Sequence, residues 1–256
     1  MERSSVPALT RAMAIVDLLA DAGQAGLSVA DIAARTGIAK STTALLCGVL
    51  EDEGMARRYD GRYRLGRRFL SLAAEYLETV DHLGDFYEEV RRQPIVSREA
   101  ARLALLDGTE VIYLARYEAT GQPRRTTGAI GERFPASITA TGKAILATLP
   151  PEAVEDRYRG KVFPRFTERS IQSLPDLMRD LAETRERGYA VDDEETNLGQ
   201  ACFAVAIRNA PGDISSLAVS TTLAKARALE VSVDAVVAEL GELAGVFRNP
   251  LAGKSF

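Results

Sequence analysis

Residues Leu27–Leu65 read LSVADIAARTGIAKSTTALLCGVLEDEGMARRYDGRYRL, and this stretch decides the fold of the N-terminal part. Ser28 is a favourable N-cap, and Asp31, three positions on, puts an acid in the first turn. Ile32 and Ala33 face inward, and Gly37 permits a sharp turn into a second helix. Lys40-Ser41-Thr42 open that helix. Its apolar positions Leu46, Val49 and Leu50 recur at helical spacing and are assigned to the core, which leaves Ser41, Thr42, Ala44 and Leu45 outward. Gly54 closes the helix. Met55–Tyr59 and Arg62–Leu65 are strand-like runs about Asp60-Gly61, a strong hairpin signal. Helix, tight turn, helix, hairpin spells a winged helix-turn-helix, whose second helix enters the DNA major groove.

Residues 55–68 carry six arginines against one acid, Asp60. A charge run alone is usually a solvated face. Beside a helix-turn-helix it is better explained by phosphate contacts. The expected DNA contacts are therefore Lys40, Ser41, Thr42, Ala44 and Leu45 from the helix, with Arg57, Arg58, Arg62 and Arg64 from the wing.

The 256-residue chain has room for two domains. Its hydrophobic fraction of 46% and charged fraction of 27% fit a soluble globular protein. No apolar run approaches the ~18 residues of a membrane helix, and no signal-peptide h-region opens the sequence. Cys47 and Cys202 have no metal-site spacing and read as reduced thiols, which places the protein in the cytoplasm. The net charge of −4 is uneven: residues 1–68 sum to +2 and the remainder to −6. A basic head on an acidic body fits a DNA reader joined to a domain that does not touch DNA.

Val6–Ala22 reads as a first helix with Leu9, Met13, Val16 and Ala20 on its packed face. Gly66–Gln93 is a long helical pattern, with Gly84 as a break and Pro94 as the stop. Its apolar stripe either packs on its own chain or dimerises. From Ile95 onward, strands at Ala101–Leu106 and Val111–Ala115 flank Asp107-Gly108. A helix opens at Thr139–Lys143, a second begins at Pro151, and Ser173 caps a third that Gly188 stops. Tyr189–Val191, Cys202–Ile207 and Ile214–Ser220 read as strands, and Val231–Arg248 as a closing helix. The overall class is α+β.

These residues carry a resemblance to the IclR family of bacterial transcriptional regulators. Gly37-x-x-Lys40-Ser41-Thr42 and Tyr63-Arg64-Leu65-Gly66 match in the first half. Ile130-Gly131, Thr141-Gly142-Lys143-Ala144 and Gly188–Glu195 with Gly199 and Cys202 match in the second. The resemblance implies a winged helix-turn-helix over residues 1–66, a linker and dimerisation helix over 67–94, and a GAF-like effector-binding domain over 95–256. It implies homodimers joined through the N-terminal domains and linker helix, often paired into tetramers. It implies two partners, an operator in double-stranded DNA and a small-molecule effector, commonly a carboxylate. It implies no cofactor, metal or membrane. The effector residues carried over are Thr126, Ala140, Thr141, Asp192, Gln200, Cys202 and Ser220. The amides at Thr141-Gly142 would favour an anion, and Thr126, Thr141 and Ser220 offer hydroxyls. A buried Asp192 would repel a carboxylate unless protonated or turned onto backbone amides. Leu45 stands where the family usually has arginine, and Thr126 and Gln200 stand at often apolar positions, which points to a more polar ligand.

Two other readings stand beside a ligand-responsive regulator. One is a DNA-binding oligomer whose second domain holds no ligand. The other is an enzyme, which the sequence supports poorly. Its one histidine, His82, lies in the linker pattern, and it has no glycine-rich phosphate loop and no metal-ligand cluster.

Overall fold

Ser28 and Asp31 start the second helix by satisfying each other's backbone. The Asp31 amide donates to Ser28 Oγ, while the Ser28 amide donates to Asp31 Oδ2. These bonds, the amide first, hold the Asp31 carboxyl below its usual range. The first unit of the computed structural model is built around this helix. Residues 6–78, 85–119 and 128–247 are described, and the chain divides into units Met1–Glu78 and Thr79–Phe256.

In the first unit, helices α1 (Pro7–Ala22), α2 (Val29–Thr36) and α3 (Lys40–Asp52) precede a hairpin of β1 (Ala56–Tyr59) and β2 (Arg62–Leu65), then α4 (Arg68–Glu78). Asp60 and Gly61 both have positive φ, 47° and 73°, as a tight two-residue hairpin turn requires. Leu27 adds a third rung beyond the expected hairpin, exchanging two backbone bonds with Tyr63. The core joins Ile15, Val16 and Leu19 of α1 to Ile32, Cys47, Leu50 and Tyr63.

Two expected faces are corrected. On α1, Leu9 and Met13 are exposed and so is Ala20, while Ile15 and Leu19 are buried. On α3, Val49 is 52% exposed, and Thr43 and Cys47 take the core positions beside Leu50. Thr43 can be buried because its hydroxyl donates to the Ala39 carbonyl at 3.1 Å. The long pattern of residues 66–93 appears as α4 and α5 (Asp85–Arg92). Its members Val80, His82, Leu83 and Gly84 lie outside the described residues. Phe69 packs on the head core, whereas Leu70 and Tyr76 are exposed.

The second unit is a six-stranded antiparallel sheet in the order β5-β4-β3-β8-β7-β6. Its strands are β3 (Ala100–Asp107), β4 (Glu110–Glu118), β5 (Arg133–Pro135), β6 (Ala190–Asp193), β7 (Gln200–Ala206) and β8 (Leu217–Ala224). The last starts three residues later than expected, because Ser215 Oγ engages both the amide and the carbonyl of Leu217. One face carries α6 (Ala140–Leu146), α7 (Pro151–Tyr158) and α8 (Leu174–Arg187), and α10 (Val233–Val246) packs on β7 and β8 after the one-turn α9 (Lys225–Ala228). Small residues under α6, Ala104, Ala190, Ala204 and Ala218, let it lie close to the sheet. A Cβ on Gly142 would stand 2.3 Å from Ala136 Cα, so glycine alone fits there.

Candidate functional site

The head presents a DNA-facing helix and a basic wing. Lys40, Ser41, Ala44 and Leu45 are exposed on α3 and Thr42 is half-buried. The four expected wing arginines differ in what they touch. Arg57 is exposed. Arg58 lies over the Tyr63 ring at 5.8 Å, and Arg64 over Tyr59 at 5.3 Å.

Arg62 points back into its own unit. Its Nε donates to the carbonyls of Ala25 at 3.1 Å and Gly26 at 3.2 Å, and its Nη2 pairs with Asp31 at 3.4 Å. It braces the wing against the start of α2, a use beyond the phosphate contact expected of it. Arg57→Ala should therefore reduce the salt slope of DNA binding by about one unit. Arg62→Ala should lower the melting temperature of the head and weaken binding while leaving the slope unchanged. Titrations at several salt concentrations check this, and a slope loss for Arg62→Ala equal to that of Arg57→Ala would contradict it.

The second unit brings the other inferred residues around one small, open-mouthed cavity of about 40 Å³. Ala140 and Thr141 enter from the start of α6. Asp192 comes from β6, Gln200 and Cys202 from β7, and Ser220 from β8. Thr126 lies outside the described residues. Strand register explains the convergence: Asp192 faces Cys202, and Cys202 faces Thr222.

Local hydrogen bonds set the chemistry of two expected features of this cavity, the start of α6 and the Asp192 carboxylate, the latter in one of the two ways foreseen. The Gly142 amide is already donated to Thr139 Oγ1 at 3.2 Å, so of the two amides expected to favour an anion this one is engaged within the helix start. Asp192 is turned onto its own loop. Its Oδ1 accepts from the amides of Glu195 at 2.7 Å and Thr196 at 3.2 Å, and Oδ2 accepts from the Thr196 hydroxyl. Burial nonetheless pushes the Asp192 carboxyl up, opposed by these bonds and by Lys143. Lys143 is fully buried and pairs with Asp180 at 3.1 Å and with Glu195.

Arg102, Tyr113 and Thr222 also line the cavity and were not among the expected residues. Their signal in the sequence is faint: an arginine inside the apolar run Ala100–Leu106. Among the described residues, no cluster of three or more His, Cys, Asp or Glu is placed to hold a metal ion. Among them also, no helix is long and apolar enough to cross a membrane.

A winged helix-turn-helix with an exposed second helix, followed by a curled-sheet unit with a polar cavity, defines a DNA-binding regulator. The family model for the IclR helix-turn-helix domain matches residues 8–60, and that for the bacterial transcriptional regulator IclR C-terminal domain matches residues 76–246. The chain belongs to the IclR family of bacterial transcriptional regulators. It is 31% identical over 209 residues to the HTH-type transcriptional repressor AllR of Klebsiella pneumoniae, covering 81% of this chain and 76% of that protein. It is similar to an IclR transcriptional regulator from Alicyclobacillus acidocaldarius, with TM-score 0.74, 25% identity, and coverage of 94% and 97% of the two chains. The fold also matches an IclR homolog from Microbacterium hydrocarbonoxydans complexed with 4-hydroxybenzoate, with TM-score 0.73 and 23% identity over 91% and 95% of the chains.

Proposed function

We propose that this regulator controls operator binding through a small carboxylate held in the cavity of its sheet unit. Residues 1–66 form the DNA-binding domain, 67–94 the linker and dimerisation helix, and 95–256 a GAF-like effector domain. The protein works as a homodimer joined through the heads and linker helix, and pairs of dimers form tetramers. The exposed apolar side chains of Leu9, Met13, Leu70 and Tyr76 support that assembly. DNA is met by Lys40, Ser41, Thr42, Ala44 and Leu45, with Arg57, Arg58 and Arg64 at the wing.

The observation that carries the effector reading is the convergence of Ala140, Thr141, Asp192, Gln200, Cys202 and Ser220 on one opening. These residues come from four separate elements, so the grouping exists only in the folded chain. Thr126 is assigned to the same site by family resemblance. Asp192, spent on its loop amides, keeps that loop in place and presents no bare charge to an anion. Ser220 offers a hydroxyl to the ligand.

An effector acts only if its affinity differs between the DNA-competent arrangement and the alternative. The test is a titration of the full-length protein on a DNA fragment selected from a random pool, with and without carboxylates from pyruvate to 4-hydroxybenzoate. Ser220→Ala should blunt the carboxylate-induced shift in DNA affinity while leaving ligand-free DNA binding within about twofold. A full response in the variant would contradict the assignment.

A further inference from the structure

We propose that Asn197, at the crest of the loop between β6 and β7, is a specificity-determining residue of the cavity: its carboxamide meets a hydroxyl group of the ligand, so that the site takes a hydroxy-carboxylate ahead of the same acid without the hydroxyl. This rests on the reading that the cavity holds the effector, and it names a group on that effector besides the carboxylate.

Asn197 lines the cavity and is half-buried. Its carboxamide forms no hydrogen bond with any described residue. Such a group carries two donors and an acceptor oxygen, and polar side chains drawn away from water are as a rule bonded. Other polar side chains of the cavity wall are engaged by the fold. The Thr196 hydroxyl donates to Asp192, Thr139 Oγ1 accepts from the Gly142 amide, and Thr222 Oγ1 stands 3.2 Å from Cys202 Sγ. Asn197 thus brings to the cavity a donor and an acceptor that the folded chain does not itself use.

The loop holds Asn197 from both sides. Before it, Asp192 accepts from the amides of Glu195 and Thr196. The Thr167 hydroxyl donates to the Glu194 carbonyl at 2.7 Å, and the Ser170 hydroxyl to the Glu195 carbonyl at 2.7 Å. After it, the Gly199 amide donates to Glu194 Oε1 at 2.8 Å, and the Gly199 carbonyl accepts from the Lys225 amide at 2.8 Å. The Glu194 amide closes the base of the loop on the Gln200 carbonyl at 3.0 Å. Of the two residues left at the crest, Leu198 is 70% exposed and Asn197 lines the cavity. A side chain on a loop pinned at both ends has little freedom left to lose when it bonds a ligand. The carboxamide also sets the class of group it meets. It is neutral, so it adds no charge to repel a carboxylate. It both donates and accepts, which matches a hydroxyl better than a carbonyl or an ether. An analogue lacking the hydroxyl leaves the carboxamide unpaired, which is the basis of discrimination.

The experiment is isothermal titration calorimetry of the full chain with matched pairs of probes: lactate and propionate, glycerate and lactate, 4-hydroxybenzoate and benzoate. Wild type should bind the member with the extra hydroxyl about fivefold tighter or more in at least one pair. Asn197→Ala should bring the two members of that pair within about twofold by weakening the hydroxylated one, with the other unchanged within about twofold. Asn197→Ser keeps a shorter hydrogen-bonding group and should retain part of the preference, which separates loss of the bond from loss of the fold. An undiminished preference in Asn197→Ala, or equal binding of every pair by wild type, overturns the proposal. If Ser220→Ala weakens both members of the pair and Asn197→Ala leaves their ratio untouched, the cavity reading stands and the role of Asn197 falls. If none of these acids binds wild type, both fall.

Discussion

Lys143→Met should cost the sheet unit about 3–5 kcal/mol, because it leaves the buried Glu195 carboxyl and the half-buried Asp180 carboxylate without their cation. Lys143 is fully buried and ties α6 to α8 through Asp180 and to the loop after β6 through Glu195. Glu195 in turn donates its amide to Asp192 at the cavity. The loss should depend on pH. Burial, opposed by Lys143, already pushes the Glu195 carboxyl from its ordinary 4.5 up to about 7. A carboxyl whose folded pKa is raised binds more protons in the folded chain, so its contribution to stability falls as pH rises from about 4.5 through the folded value. Removing the lysine raises that value further, and Lys143→Met should be more destabilised relative to wild type at pH 8 than at pH 6. The chain has no tryptophan, so urea unfolding followed by circular dichroism at the two pH values is the measurement. A loss under 1 kcal/mol, equal at both, would show that the cluster is not the clamp its geometry indicates.

The second large effect separates the two faces of α3. Leu50 is 9% exposed in the head core and Leu45 is 69% exposed. Leu50→Ala should cost about 2–5 kcal/mol through lost burial and the cavity left behind. Leu45→Ala should change stability by no more than about 0.5 kcal/mol and alter which DNA sequences are selected from a random pool, as expected of a side chain placed to touch thymine methyls. A destabilising Leu45→Ala beside a harmless Leu50→Ala would mean the helix is rotated from the orientation described.

These two residues also show what the sequence made legible. The helix-turn-helix and its hairpin were readable because their signals are local. Ser28 and Asp31 bond to each other, Asp60-Gly61 adopts its own positive-φ turn, and Ser173 caps α8 within three residues. Rotational faces were less readable. On α1 the apolar residues satisfy helical spacing in two overlapping sets, and only packing against Ile32 and Cys47 selects Ile15 and Leu19 over Leu9 and Met13. On α3 a polar side chain, Thr43, occupies the core because its hydroxyl bonds within the helix, and an apolar one, Val49, does not. Hydrophobicity alone points the wrong way at both positions.

The site residues divide in the same manner. Family resemblance located six cavity residues that the register of β6, β7 and β8 then brings together. Arg102 and the bracing role of Arg62 were passed over because their partners are remote in sequence. Arg102 meets Ser220 across a strand pair 118 residues apart. Arg62 looks like one more wing charge until the carbonyls of Ala25 and Gly26 are placed beside it. A charge run carries no information on which of its members is turned inward.

The central claim is that occupancy of the sheet cavity changes the affinity of the head for DNA. The most direct measurement is fluorescence anisotropy of one selected DNA fragment titrated with the full-length protein, alone and with each of the small carboxylates at saturating concentration. The account predicts that at least one carboxylate shifts DNA affinity by about 5- to 150-fold, the range of coupling free energies of about 1–3 kcal/mol. Tight DNA binding that no carboxylate alters, despite calorimetric proof that the carboxylate is bound, would contradict it.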